Sequence, residues 1–116
     1  MRLIIIGGGN MGGVILLALV KAEVIPPKNI LLIEPDDAKR QNLSKATSCD
    51  SQAEFNENVR NYDLLILAVK PQGATPAMEL LAQWLLPHQL VISVMAGMDE
   101  QYNPRDVEQT ARNFWE

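Results

Sequence analysis

The stretch that decides the fold is residues 2–12, RLIIIGGGNMG, in which an apolar run is followed directly by Gly7, Gly9 and Gly12. The glycines form G-x-G-x-x-G between a strand-like and a helix-like segment. In this pattern the first glycine permits a tight turn, the second lets backbone approach a pyrophosphate, and the third lets the helix lie close to the sheet. The stretch predicts a dinucleotide-binding turn, with a purely structural glycine turn as the alternative.

A helix is predicted after the turn, over residues 10–23, because apolar side chains recur there at helical spacing and Pro26 and Pro27 follow. The N–H groups at its amino end and the positive end of its dipole suit an anion. We therefore expect the turn and the helix start to bind the diphosphate of a cofactor. The residues assigned to this role are Gly7, Gly8, Gly9, Asn10, Met11 and Gly12.

The rest of the chain alternates between apolar runs and helix-like segments. Continuous apolar runs of this kind are typical of parallel strands covered on both faces. Strands are predicted at 3–6, 30–33, 46–51, 64–69 and 90–95, and further helices at 36–45, 54–61, 75–86 and 103–115. Such alternation predicts right-handed βαβ units and an α/β fold, a Rossmann-like doubly wound parallel sheet of about five strands in three α/β/α layers. We expect residues 1–116 to form a single domain.

The composition restricts the class of function. Hydrophobic residues make up 47% of the chain and charged residues 21%, as in soluble globular proteins. A net charge of −4 without a basic cluster argues against nucleic acid or an anionic membrane as partner. Cys49 is the single cysteine, so no intrachain disulfide is possible and a reducing, cytoplasmic setting is expected.

Glu34 ends the second predicted strand and follows Gly12 by about twenty residues, the separation typical of the acidic residue that binds the adenosine ribose hydroxyls. Its carboxylate would repel a 2′-phosphate, by on the order of 4 kcal/mol for unit charges ~4 Å apart near a protein surface. We expect an NAD(P)(H) cofactor, with NAD(H) favoured. Two alternatives remain: a solvated glutamate at a strand end, and Lys39 or Arg40 turning back to meet a phosphate.

Three motifs together resemble the amino-terminal dinucleotide-binding domain of pyrroline-5-carboxylate reductase: GGGNMG after the first strand, AVKPQ after the fourth and SVMAG after the fifth. The resemblance covers about residues 1–97. It implies hydride transfer from a reduced nicotinamide to the C=N carbon of 1-pyrroline-5-carboxylate, giving proline. It also implies contacts near the ribose and nicotinamide from Ala68, Val69, Lys70, Pro71, Ala96 and Gly97; for Lys70 a solvated turn residue is the alternative.

The chain departs from the family in three places. Glu34-Pro35-Asp36 stands where the family usually has a small polar residue and an arginine suited to a 2′-phosphate. Phe55 stands where an asparagine often approaches the adenosine, with Asn56 as the one possible substitute. After the fifth strand the family continues into a helical domain that builds the dimer and supplies most imino-acid contacts. Without that helical domain the imine would not be oriented against the nicotinamide, and orientation can supply ~7 to 11 kcal/mol of a barrier. We therefore expect this chain alone to bind dinucleotide with little or no reductase activity.

Other functions stay open, namely a non-catalytic NAD(H)-sensing module and a remnant that binds no ligand. No catalytic residue or metal ligand is predicted; His88 is expected at the surface, and Cys49 and Trp84 in packing. The fifth strand is expected to lie at an edge of the sheet, and such edges are usually paired or covered. We therefore expect the 103–115 helix or a second copy in a homodimer to cover it. A partner that supplies a helical domain is the other expected association.

Overall fold

The computed structural model describes residues 1–7, 10–69 and 71–94. Within these ranges the elements alternate as predicted. In order they are β1 (Leu3–Ile6), α1 (Asn10–Lys21), β2 (Ile30–Ile33), α2 (Asp37–Thr47), β3 (Asp50–Gln52), β4 (Leu64–Leu67), α3 (Pro71–Leu81) and β5 (Leu90–Ser93). Two short 3-10 helices, Pro27–Asn29 and Glu57–Asn61, precede β2 and β4.

All five strands are parallel and lie in the order β3-β2-β1-β4-β5. β1 is central, and all residues of β1, β2 and β4 are buried. The strand order reverses between β1 and β4, because the chain first builds outward to β3 and then crosses back. In open α/β sheets, ligands bind at the carboxyl ends of the strands at such a switch point. The predicted Rossmann-like fold is confirmed.

Each face of the sheet carries its own hydrophobic core, because successive side chains of a strand point to opposite faces. Ile5 packs in one core with Leu16 of α1, and Ile4 packs in the other with Leu81 of α3. Leu43 of α2 lies against the core of α1. The helices therefore cover both faces, which gives the predicted three layers.

The predicted start and end of α3 are wrong. The helix begins at Pro71 instead of Thr75 and ends at Leu81 instead of Leu86, with Pro76 inside it. Proline is tolerated at the first helical position because its missing N–H has no intrahelical partner there. Residues 71–73, which precede the predicted helix, therefore form the first turn of the helix that follows β4.

The third strand also lies later than expected, at Asp50–Gln52 rather than 46–51. α2 continues to Thr47, and Ser48 ends it in the left-handed conformation with φ 63°. The helix predicted over 54–61 is a 3-10 helix over Glu57–Asn61. Short polar sequences carry little periodicity, so these boundaries are set by capping rather than by hydrophobic pattern.

β5 is the least buried of the apolar strands. Within the part of the chain that the structure describes, β5 pairs with β4 only, and Leu90 is 42% exposed. The helix predicted over 103–115 lies outside the described residues. The expectation that this edge is covered by that helix or by a second copy stays a prediction.

Gln89 fixes the loop that leads into β5. Its Nε2 donates to the carbonyl oxygens of Val59 at 2.7 Å and Tyr62 at 2.6 Å, and its Oε1 accepts from the Leu86 N–H at 2.7 Å. One half-buried amide thereby ties the segment after α3 to the segment before β4. Both carbonyls require a donor, which a carboxylate lacks.

We predict that Gln89→Glu lowers the free energy of unfolding by about 2–3 kcal/mol at pH 7, because a carboxylate would face two carbonyl oxygens without donors. Urea unfolding followed by circular dichroism measures this loss. Gln83→Glu makes the same change of charge at an exposed position and should stay within about 0.5 kcal/mol of the parent. Equal unfolding midpoints for the two variants would contradict the role given to Gln89.

Candidate functional site

The turn out of β1 depends on glycine at position 7. Gly7 has φ +101°, a conformation that side chains disfavour. Its N–H donates to the Ile33 carbonyl at 2.8 Å, so pairing with β2 extends one residue beyond β1. A Cβ on Gly7 would lie 2.4 Å from the Ala68 carbonyl oxygen. The turn is therefore pressed between the carboxyl ends of its two neighbouring strands.

The third glycine sets how closely α1 approaches this turn. A Cβ on Gly12 would lie 1.6 Å from the Gly7 carbonyl oxygen. The first turn of α1 thus rests directly on the turn out of β1, and the amino end of α1 lies at the carboxyl edge of the sheet. The predicted close approach of helix and strand is confirmed.

Of the other residues of the glycine motif, Met11 is the one whose side chain the structure describes. Gly8 and Gly9 lie outside the described residues, and for Asn10 the backbone begins α1. Met11 is 7% exposed and packs in the core beneath α1. Its side chain thus faces the protein interior, so a contact from Met11 to a diphosphate would come from its backbone.

Ala68 and Val69 lie beside the glycine turn, as the sequence predicts. The Ala68 N–H donates to the Ile6 carbonyl at 2.8 Å, which continues the pairing of β4 with β1. Val69 is half-buried, and its Cγ1 would be 3.2 Å from a Cβ on Gly7. Pro71 begins α3 two residues later. Lys70, Ala96 and Gly97 lie outside the described residues.

Glu34 is 6% exposed and lies at the carboxyl end of β2. Its N–H donates to the Gln52 carbonyl at 3.0 Å, and its Oε2 accepts from the Asp36 N–H at 3.0 Å. The alternative of a solvated glutamate is therefore wrong. The carboxylate is fixed in the turn between β2 and α2, close to the switch point.

Arg40 binds the same turn from the first part of α2. Its Nη1 donates to the Glu34 carbonyl at 2.9 Å, and its Nη2 forms an ion pair with the Asp37 carboxylate. The Arg40 side chain is 18% exposed, whereas that of Asp37 is 77% exposed. Sequence reasoning named Arg40 but missed Asp37 as its partner, although a spacing of three residues on a helix is typical of such pairs.

Asp36 and Asp37 also stabilise the amino end of α2. Asp36 is the N-cap, and its Oδ1 accepts from the Lys39 N–H at 3.0 Å. Asp37 lies in the first turn, where a carboxylate complements the helix dipole. Lys39 itself is exposed. The turn therefore carries three carboxylates and two basic side chains.

Trp84 has the predicted packing role and His88 the predicted surface position, and the structure also gives Phe55 and Asn56 local structural contacts. Phe55 packs edge-on against Trp84, with ring centroids 6.3 Å apart, and belongs to the core on the α3 face. Asn56, the possible substitute near an adenosine, is the N-cap of a 3-10 helix and accepts from the Asn58 N–H at 2.9 Å. His88 is exposed in the loop before β5.

Cys49 is buried at the start of β3, with 2% of its surface exposed. Burial raises the pKa of its thiol, a hydrogen bond with Thr47 lowers it, and the nearby Asp50 carboxylate raises it further. The net direction is upward, so little thiolate forms near neutral pH. This agrees with the prediction of an inert packing thiol.

Residues 1–7, 10–69 and 71–94 contain no group of three or more histidine, cysteine or acidic residues that could hold a metal ion. In the same ranges, every helix is too short or too polar to cross a bilayer.

The glycine turn at the switch point of a β3-β2-β1-β4-β5 sheet defines a Rossmann-like α/β domain of the nucleotide-binding type. The chain belongs to the family described as NADP oxidoreductase, coenzyme F420-dependent, whose model matches residues 2–97. The predicted resemblance to the amino-terminal domain of pyrroline-5-carboxylate reductase is confirmed by similar proteins of that name.

Pyrroline-5-carboxylate reductase 1 of Bacillus subtilis (strain 168) is 32% identical over an alignment of 114 residues that covers 93% of this chain and 35% of that protein. The solved structure of a pyrroline-5-carboxylate reductase from Coxiella burnetii has a TM-score of 0.75 at 28% identity and covers 83% of this chain and 36% of that one. The chain therefore spans about a third of the length of these relatives.

A third similarity is short. Over 19 residues, 16% of this chain, the sequence is 90% identical to the leucine–tRNA ligase of Marinobacter nauticus, of which it covers 2%. This similarity spans too little of either protein to define a fold or a site.

We predict that Gly12→Ala lowers the free energy of unfolding by about 2–3 kcal/mol, because the new methyl group would collide with the Gly7 backbone. Helix propensity alone would give the opposite sign, since alanine is favoured over glycine by about 1 kcal/mol inside a helix. Thermal unfolding measures the change. Leu17→Ala, which changes an exposed position of the same helix, is the control and should lower the free energy of unfolding less than Gly12→Ala does. A stabilised Gly12→Ala variant would show that α1 does not rest on the turn.

We predict that Cys49 resists alkylation in the native protein. At pH 8 its reaction with iodoacetamide should be on the order of a hundredfold slower than in urea, because the thiol is buried and its pKa is raised. Mass spectrometry of quenched samples follows the reaction. Equal rates in the two conditions would show that β3 opens readily.

Proposed function

We propose that this chain is the pyridine-nucleotide-binding domain of an oxidoreductase that reduces a cyclic imino acid such as 1-pyrroline-5-carboxylate. The observation that carries the proposal is the contact of Gly12 with the Gly7 carbonyl at the switch point of the sheet. It brings the amino end of α1 to the sheet edge where nucleotides bind. Similarity to pyrroline-5-carboxylate reductases supports the choice of reaction.

The cofactor diphosphate is assigned to the start of α1. The first N–H groups of a helix have no intrahelical partners, and the helix dipole adds a partial positive charge. The backbone of Asn10 and Met11 supplies such groups at this edge. Gly8 and Gly9 are assigned to the same diphosphate by the motif, since glycine allows the closest backbone approach.

The nicotinamide half is assigned to the strand ends on the other side of β1. Ala68 and Val69 lie beside Gly7, where they would contact the ribose and the ring. Lys70, Pro71, Ala96 and Gly97 are assigned to the same half by the resemblance. A reduced nicotinamide supplies the hydride; this chain binds the ring and orients it. We expect the 116-residue chain alone to have little or no reductase activity.

The adenosine half is assigned to Glu34, and with it a preference for NAD(H). The buried position of Glu34 at the end of β2 supports this role. A carboxylate there accepts hydrogen bonds from ribose hydroxyls and repels a 2′-phosphate. NADP(H) would have to place its 2′-phosphate close to the buried Glu34 carboxylate.

We predict that NADH binds the 116-residue chain more tightly than NADPH, with Kd values obtained by isothermal titration calorimetry at fixed salt. Glu34→Gln should reduce the ratio of the Kd for NADPH to the Kd for NADH about tenfold, because the substitution removes the charge that repels the 2′-phosphate. The glutamine carbonyl still accepts from the Asp36 N–H, so the turn is retained. Glu79→Gln removes an exposed charge on α3 and should leave the difference unchanged.

Two results would overturn parts of this proposal. Tighter binding of NADPH by the parent chain would refute the role of Glu34 while leaving dinucleotide binding intact. No heat with either cofactor, for a folded sample, would refute dinucleotide binding and favour a remnant of the fold.

A further inference from the structure

We propose that the Asp37–Arg40 ion pair is a specificity-determining device, in which Asp37 keeps the Arg40 guanidinium from a 2′-phosphate and so disfavours NADP(H). The proposal rests on the proposed dinucleotide site and concerns its adenosine end. In this proposal, the preference between NAD(H) and NADP(H) depends on a competition for the Arg40 guanidinium. The competitors are a side chain of this chain and a phosphate of the ligand.

The position of Arg40 is set by the turn that also holds Glu34. Nη1 donates to the Glu34 carbonyl at 2.9 Å, so the guanidinium lies at the residue assigned to the ribose. The side chain is 18% exposed, although it stands on a helix with exposed neighbours on both sides. A guanidinium fixed at the end of β2 therefore needs little rearrangement to meet a group on the ribose.

The second nitrogen of Arg40 is held by a partner that is easily displaced. Nη2 pairs with Asp37, whose side chain is 77% exposed, and such solvent-exposed pairs contribute little free energy. A 2′-phosphate is the stronger partner for Nη2, since a phosphate monoester carries a charge of about −1.5 to −2 at pH 7 and its oxygens form charge-assisted hydrogen bonds. Asp37 and a 2′-phosphate would thus compete for the same donor.

Asp37 also opposes the phosphate directly. The Asp37 carboxylate accepts from Nη2, whereas Nη1 donates to the backbone carbonyl of Glu34, so a phosphate that approached Nη2 would meet the negative charge of Asp37. With Asp37 neutral, Arg40 would keep its position on the Glu34 carbonyl while its second nitrogen could bind phosphate. NADH carries no 2′-phosphate, so its affinity should depend little on this pair.

The test is a double-mutant cycle on the 116-residue chain, with Kd values for NADH and NADPH from calorimetry. Asp37→Asn should bind NADPH about threefold to fivefold more tightly than the parent, and NADH with unchanged affinity. In the Arg40→Gln background the same Asp37→Asn substitution should give no gain, because the donor is gone. Glu57→Gln, an exposed acidic position in another segment, controls for overall charge.

Thermal unfolding first establishes that each variant is folded; if Arg40→Gln is not, Arg40→Lys replaces it, since lysine keeps the charge but lacks the planar fork. A gain that persists without Arg40, or that Glu57→Gln reproduces, would overturn the proposal, as would an Asp37→Asn variant with no gain. If the parent binds neither cofactor, the proposed function fails together with this inference. If the parent binds NADH and the cycle shows no coupling, this inference fails alone.

Discussion

The structure depends on one backbone contact, between Gly12 of α1 and the carbonyl of Gly7. The absence of a side chain at position 12 lets the helix axis come down onto the strand end, and positive φ at position 7 turns the chain toward it. A methyl group at position 12 would push the helix outward, and one at position 7 would collide with the Ala68 carbonyl oxygen at the end of β4. Because β1 is the central strand, this contact also determines where the amino end of α1 lies relative to the carboxyl ends of β2 and β4.

The two halves of the candidate site are held by different forces. On the β4 side, Ala68 and Val69 are positioned by pairing and packing, through a ladder that continues beyond the strand. On the β2 side, Glu34 and Arg40 are positioned by hydrogen bonds in a charged turn. Apolar packing is insensitive to salt and pH, whereas interactions of partly exposed charges are screened. The proposed cofactor selectivity therefore depends on the part of the site that is more sensitive to salt and pH.

The sequence allowed the fold and the centre of the site to be predicted because both depend on strong local signals. The four apolar runs and the glycine spacing predicted the strands of the sheet and the contact of α1 with β1. The extent of α3 and the position of β3 were predicted wrongly, because Pro71 is compatible with both a break and a helix start, and Asp50–Gln52 has no apolar pattern. Those features are decided by helix capping and by the pairing of β3 with β2, which hydrophobic periodicity does not display.

The burial of Glu34 changes what its position at a strand end means. A solvated carboxylate could turn away from an incoming phosphate and be screened by water, so its influence on cofactor choice would be small. Glu34 is instead tied to β3 through its N–H, to Asp36 through its carboxylate and to Arg40 through its carbonyl. Its charge is therefore fixed in place before a ligand arrives. Preorganised charge acts on a ligand without the cost of first ordering the side chain, and the proposed preference for NAD(H) rests on this property of Glu34.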